Sequence, residues 1–271
     1  MLEETIGFIG CGNMGSAMIN GIVGSGLIPA NKVIASARSK DTLDSMKETY
    51  HIEVTKDNTK VAEKADILFL AVKPNMYEEV IAQIRDCVKK DALIVSIAAG
   101  KTIANIEALF GRPIKLVRSM PNTPAMVLES MSALTPNAAI SPEELKKIIT
   151  IFSSFGKCEV VTEKLMDAVT GVSGSSPAYV YMFIEAMADA AVFDGMPRAQ
   201  AYKFAAQSVL GAAKMVLETG KHPGELKDAV CSPGGTTIEA VAKLEELNLR
   251  GTVIAAQHTC TEKSKAMSKP Q

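Results

Sequence analysis

Apolar runs of four to six residues recur through the first part of this 271-residue chain, at 5–10, 33–36, 67–72, 93–98 and 116–120, with helical patterns between them. That alternation predicts a parallel, doubly wound α/β sheet. Two further runs, 131–135 and 159–161, flank an amphipathic helix that Ser141-Pro142-Glu143-Glu144 caps and starts, and they are expected to extend the same sheet. After Glu163 the β-branched runs give way to Ala- and Met-rich stretches at 178–193, 198–218, 223–230, 238–246 and 252–267. The chain therefore divides into a dinucleotide-binding domain, 1–163, and a helical domain, 164–271. Apolar residues nearly surround the helix predicted at 178–193, which requires burial on more than one side. A small helical domain of that kind is expected to be covered by a second subunit.

The first strand runs directly into a glycine motif, Ile9-Gly10-Cys11-Gly12-Asn13-Met14-Gly15, and then into helix-forming Ser16-Ala17-Met18-Ile19. In that setting Gly10 permits a tight turn, Gly12 lets the backbone approach a pyrophosphate, and Gly15 lets the helix pack close, its N-terminal N–H groups facing the anion. The alternative is a glycine-rich turn with no ligand, but a position between a strand and a helix start favours a dinucleotide. The end of the second strand bears on which one. NAD-binding versions place a carboxylate there for the ribose 2'-OH; this chain has Ser36, Arg38 and Ser39, with Lys40 behind them. A hydroxyl plus a guanidinium suits a 2'-phosphate, so NADPH is the expected cofactor, with NADH a possible substitute.

Composition narrows the remaining classes. The chain is 47% hydrophobic and 22% charged, with a net charge of -1 and no basic run, which leaves neither a nucleic acid nor a membrane as an expected partner. The N-terminal apolar stretch lacks a basic lead and is broken by glycines, so a soluble, cytoplasmic protein without a cleaved targeting segment is expected. Cys11, Cys87, Cys158, Cys231 and Cys260 are scattered and odd in number, and read as reduced thiols. His51, His222 and His258 are isolated, so no metal site is expected.

In open α/β sheets ligands bind beyond the carboxyl ends of the strands. Ala71-Val72-Lys73-Pro74, Ala98-Ala99-Gly100 and the stiff segment Arg118 to Pro124, with Pro121 and Asn122 at its centre, occupy such positions. Two loops stand out among the helices: Ser173-Gly174-Ser175-Ser176-Pro177 and Ser232-Pro233-Gly234-Gly235-Thr236-Thr237. Each offers hydroxyls and backbone N–H groups at a helix start. One such loop reads as simple capping; two together point to a carboxylate. No lysine occurs between Lys164 and Lys203, and the two loops carry no His, Asp or Glu. Oxidation of an alcohol needs a base for the hydroxyl proton, whereas an imine that enters protonated needs only a hydride. The pocket's chemistry therefore points to reduction of a C=N bond.

The same residues resemble the pyrroline-5-carboxylate reductase family nearly end to end. The likeness rests on I-G-C-G-N-M-G at the N-terminus, Ala71 to Pro74, R-S-M-P-N-T-P from Arg118, S-G-S-S-P-A-Y from Ser173 and S-P-G-G-T-T from Ser232. It implies NADPH-dependent reduction of 1-pyrroline-5-carboxylate to L-proline, an interlocked helical dimer that can build larger homo-oligomers, and a substrate pocket across the subunit interface. By position, it places the 2'-phosphate on Ser36, Arg38 and Ser39, adenosine on Asn58, and the rest of the cofactor on 71–74 and 98–100. Substrate contacts fall on Ser175, Ser176, Pro177, Ser232, Gly234, Gly235, Thr236 and Thr237, with Thr237 nearest the ring nitrogen. One departure is visible: the family usually has glycine where Ser176 stands, which costs strain if φ is positive there. Two rivals are weaker. A β-hydroxyacid dehydrogenase uses a lysine that this chain lacks, and a noncatalytic NADP-binding regulator is expected to have lost the loop at 232–237.

Overall fold

Eight strands pair in the order β3-β2-β1-β4-β5-β6-β7-β8 in the computed structural model, which describes residues 3–268. They are β1 (Ile6–Ile9), β2 (Val33–Ser36), β3 (Glu53–Thr55), β4 (Ile67–Leu70), β5 (Leu93–Ser96), β6 (Lys115–Met120), β7 (Ser130–Pro136) and β8 (Gly156–Val160). The helices that cover the sheet are α1 (Asn13–Gly24), α2 (Lys40–Tyr50), α3 (Asn58–Lys64), α4 (Tyr77–Ile84), α5 (Ile103–Phe110) and α6 (Pro142–Phe152). Then come a short α7 (Met166–Val169), α8 (Ser176–Phe193), α9 (Arg198–Thr219), α10 (Pro223–Val230), α11 (Thr236–Glu246) and α12 (Leu249–Ser268).

The inner strands β1, β2, β4 and β5 are buried throughout, because helices lie on both faces of the sheet. One face carries Phe8, Phe69, Phe152 and Phe155, with Phe8 and Phe69 stacked at 4.6 Å. The other is built from Val61, Leu68, Tyr77, Ile81, Ile94 and Leu116. All pairings but one are parallel. β7 and β8 extend the parallel sheet as expected, and β7 runs antiparallel to β6, with Arg118 opposite Thr135. The connection explains it: only nine residues separate Met120 from Ser130, and a parallel crossover needs a dozen or more. A 3₁₀ turn at Thr123–Val127 and a left-handed Leu128 reverse the chain there.

Contacts divide the chain into two units, residues up to Ser175 together with those from Cys260 onward, and Ser176–Thr259. The segment 164–175 thus groups with the sheet, and the last turns of α12 return to it. Within the second unit α8 and α9 pack through Ala188, Ala201 and Ala205, small side chains that let the helices approach. Larger apolar groups point outward instead: Tyr181, Met182, Phe193, Phe204, Leu217 and Ile254 are all exposed, Phe193 at 91%. An isolated domain rarely leaves that much apolar surface in water.

Candidate functional site

At the end of β1 the chain turns through Gly10, whose φ of 101° strains any other residue and whose missing side chain leaves room for the Ala71 carbonyl, 2.6 Å from where a Cβ would lie. A Cβ on Gly15 would lie 2.4 Å from the Gly10 oxygen, so α1 closes on this turn only because Gly15 lacks a side chain. Gly12 has a different job. It caps α1 in extended backbone, gives no side-chain cap, and a Cβ built on it meets nothing within 4 Å. The first N–H groups of α1 have no intrahelical acceptor, and no acidic residue sits in that turn. Open space in front of unpaired donors fits a pyrophosphate. A cleft of about 310 Å³ continues from Gly12 and Asn13 along Ser16 and Asn20, with Thr42, Tyr50 and Met126 opposite. Burial pushes the Cys11 thiol up to about 12, so it stays protonated and unreactive.

The residues expected at the 2'-phosphate are split by burial. Ser36 is buried and donates to Asn58 Oδ1 at 2.7 Å, and Asn58 in turn donates to Gln83 at 2.9 Å. Ser36 and Asn58 are thus brought together, but the Ser36 proton is committed to holding Asn58. Ser39 caps α2, accepting from the Thr42 N–H at 3.4 Å. Lys40 pairs with Asp44 at 2.6 Å, while Arg38 is exposed and has no carboxylate partner among the described residues. Among the described residues, Arg38 is thus a cation at the end of β2 without an ion-pair partner.

Beyond β4, β5 and β6 the three expected loops follow one another along the sheet edge. Tyr77 is buried beneath them, its hydroxyl 2.8 Å from the Leu70 carbonyl and 2.9 Å from Ser96 Oγ. Burial raises its pKa well above the usual phenol range, so the hydroxyl remains a donor. Arg118 is not a ligand group: it is buried and pairs with Glu163 at 2.9 Å, and Glu163 also accepts the Ile103 N–H at 2.8 Å. Asn122 is buried too. Its carbonyl accepts from Met131 N at 2.9 Å and Ser130 Oγ at 3.1 Å, and its amide donates to the Ser173 carbonyl at 3.0 Å. It ties the turn at Pro121 to β7 and to the segment before α8.

That segment is not the loop the sequence predicts. Thr170–Gly174 form a π-helical turn that leads into α8, with the Ser175 N–H donating to the Thr170 carbonyl at 2.9 Å. Ser175 Oγ accepts from Cys260 Sγ at 3.2 Å, and Ser264 donates to Asp167 at 2.6 Å. Ser176 is the first residue of α8 and is not among the positive-φ residues, so serine there carries no backbone strain. Restoring glycine by Ser176→Gly should lower stability by at most about 1 kcal/mol, and not raise it, as thermal melts will read.

In the second unit, residues 232–235 close a turn in which Gly235 N donates to the Ser232 carbonyl at 3.0 Å and Gly234 takes φ +67°. Gly235 caps α11 without a side-chain bond, so Thr236 and Thr237 open the helix with free N–H groups beside their own hydroxyls. Thr237 is half-buried and Ser232 and Thr236 are exposed. The loop 232–237 itself carries no cation or acid, Glu239 being the acidic residue of the first turn of α11, and its N–H groups and hydroxyls fit a carboxylate and a ring nitrogen. The sequence missed Gln83 behind Asn58, Tyr77 beneath the loops and Met126 at the cleft, since none stands in a motif. Among the described residues no group of three or more His, Cys, Asp or Glu is placed to hold a metal ion, and no helix is long and apolar enough to cross a membrane.

Comparison with known proteins agrees over the whole length. Residues 163–267 match the family described as pyrroline-5-carboxylate reductase dimerisation, and residues 5–100 match NADP oxidoreductase coenzyme F420-dependent. Pyrroline-5-carboxylate reductase of Escherichia coli (strain K12) is 52% identical over 268 residues, covering 99% of this chain and 100% of that protein. The enzyme of that name from Methanosarcina acetivorans is 44% identical over 99% of this chain and 100% of its own length. Among solved structures, Plasmodium falciparum pyrroline carboxylate reductase with NADP bound superposes at a TM-score of 0.91 with 33% identity, covering 99% of this chain and 100% of that one. Prephenate dehydrogenase from Aquifex aeolicus shares the fold alone, at a TM-score of 0.56 and 16% identity, over 94% of this chain and 99% of its own.

Proposed function

Since this chain belongs to the pyrroline-5-carboxylate reductase family, we propose that its glycine turn and its loop at 232–237 carry the two halves of that family's reaction. The enzyme reduces 1-pyrroline-5-carboxylate to L-proline with a nicotinamide cofactor. The observation that carries this assignment of sites is the contrast between the two helix starts, one open beside Gly12 for a pyrophosphate and one flanked by hydroxyls at Ser232, Thr236 and Thr237 for a carboxylate.

NADPH, when bound, would supply the hydride that reduces C5 of the pyrroline ring. Gly10 to Gly15 hold the pyrophosphate through backbone N–H groups, while 71–74 and 98–100, with Pro121 and Asn122, line the rest of the cofactor. The N–H groups and hydroxyls of the loop from Ser232, through Gly234 and Gly235, hold the substrate carboxylate, with Ser175, Ser176 and Pro177 completing the substrate side. Thr237 hydrogen-bonds the ring nitrogen and steadies the protonated imine. No side chain of the loop is needed as an acid, and rate comes from orientation and electrostatic fit.

Arg38 sets the preference for NADPH. Losing a partly exposed, charge-assisted contact to a 2'-phosphate costs about 1.5 kcal/mol, roughly tenfold in kcat/KM. Arg38→Ala should lose that factor with NADPH and leave NADH nearly unchanged in steady-state assays. Equal losses with both cofactors would remove Arg38 from the phosphate.

Residues 1–163 serve the cofactor and 164–271 serve dimerisation and substrate. Exposed Tyr181, Met182, Phe193 and Leu217 provide the apolar faces that pair two copies, and the unpaired cysteines suit the reducing cytoplasm. The test of the assigned reaction is the decay of NADPH absorbance on adding 1-pyrroline-5-carboxylate, matched mole for mole by L-proline; absence of that decay would refute it.

A further inference from the structure

Tyr77, Ser96 and Ser119 are buried hydroxyls at the carboxyl ends of β4, β5 and β6, and their hydrogen bonds have a direction. The Leu70 carbonyl can only accept, so the phenol proton of Tyr77, 2.8 Å away, belongs to that bond. The 2.9 Å contact between Tyr77 and Ser96 must then use the Ser96 proton. Ser96 Oγ is left to accept from the Ala98 N–H at 3.5 Å. A relay therefore runs from the Ala98 N–H through Ser96 and Tyr77 to the Leu70 carbonyl. It spans the roots of the loops 71–74 and 98–100.

The relay also competes with the sheet. The last rung between β4 and β5, Ile97 N–H to the Leu70 carbonyl, is stretched to 3.4 Å, so the phenol is the closer partner of that oxygen. Paired residues stop at Leu70 and Ser96, and the two loops part from there. Ser119 Oγ donates to the Ser96 carbonyl at 3.0 Å and fastens β6 to the same point. No buried side-chain nitrogen or oxygen among the described residues lacks a partner, so removing one member leaves another unpaired.

We propose that Tyr77, acting through Ser96, is a positioning residue for the cofactor: its buried hydroxyl sets the spacing of the loops 71–74 and 98–100. The inference rests on the reading that these loops line the cofactor. Phenylalanine keeps the volume of Tyr77 and removes only the hydroxyl, which releases the Leu70 carbonyl and orphans the Ser96 proton.

Tyr77→Phe in the full-length enzyme should raise Kd and KM for NADPH by about tenfold, the factor expected of one buried hydrogen bond. At saturating NADPH, kcat and the KM for the imine should stay within about twofold, a split that general destabilisation does not produce. Ser96→Ala should do the same, and the double variant should be no worse than the weaker single one, because both cut one chain. Phe152→Leu, in the apolar cluster on the opposite face of the sheet, should lower the melting temperature without moving NADPH KM. Additive losses in the double variant, wild-type NADPH binding by Tyr77→Phe, or an equal KM rise from Phe152→Leu would each overturn the proposal. Ala99→Leu separates it from the reading beneath it. Unchanged NADPH affinity in Ala99→Leu would take the cofactor off these loops altogether; weakened affinity there beside normal Tyr77→Phe would sink the positioning role alone.

Discussion

Valine at Gly12 is expected to abolish NADPH binding at working concentrations while leaving the fold intact. Gly12 has φ -71° and ψ -172°, a backbone that any residue adopts, and a Cβ there meets no atom within 4 Å. The substitution therefore introduces no clash or backbone strain in the free protein and costs it only the poorer N-cap, about 1 kcal/mol. It fills the space in front of the α1 N-terminus, and the phosphate loses charge-assisted hydrogen bonds worth about 1.5 to 3 kcal/mol each. Loss of two such bonds weakens binding by roughly a hundredfold or more. Gly15 supplies the contrast. Valine there drives a Cβ to 2.4 Å from the Gly10 carbonyl, so stability and cofactor affinity should fall together. Cofactor titration alongside thermal melts distinguishes the two. Normal NADPH affinity in a folded Gly12→Val protein would mean that the pyrophosphate does not lie on this turn.

Thr237→Ala is expected to lower kcat by roughly ten- to a hundredfold, the ~1 to 3 kcal/mol of one well-placed hydrogen bond, with the protein folded and still binding NADPH. Thr237 stands in the first turn of α11, behind a glycine cap; Cys231 is the ionisable group of its loop and Glu239 the acidic residue of its turn. A hydroxyl in that setting orients and polarises, and does not titrate near neutral pH. The pH profile of kcat should therefore keep its shape, since the titrating group belongs to the substrate imine. Complete loss of turnover, or disappearance of one limb of the profile, would make Thr237 an essential proton donor.

What the sequence disclosed and what it hid follow from how local each constraint is. The inner strands and the glycine turn were legible because burial on both faces and a strand-to-helix turn each write a pattern into consecutive residues. β3 was not, because Glu53-Val54-Thr55 is three residues long, edge-exposed and charged, and holds its place only through pairing with β2. The reversal of β7 was hidden in the length of a loop, and the π turn at Thr170–Gly174 in hydrogen bonds that serine and glycine do not advertise. Several positions that the sequence offers for the site have structural partners of their own. Ser36 proves to hold Asn58, twenty-two residues on, and Asn122 holds Ser173, fifty-one residues on. Such pairings exist only after the chain has folded. Tyr77 stands in no motif, and its partner Ser96 lies on the next strand.

Isotope transfer bears most directly on the chemistry assigned to these sites. NADPH carrying deuterium at both C4 positions, turned over with 1-pyrroline-5-carboxylate in ordinary water, should yield L-proline with a single deuterium at C5, and unlabelled NADPH in heavy water should place none there. Unlabelled proline from the first experiment, or deuterium at C5 from the second, would contradict direct hydride transfer to the ring carbon.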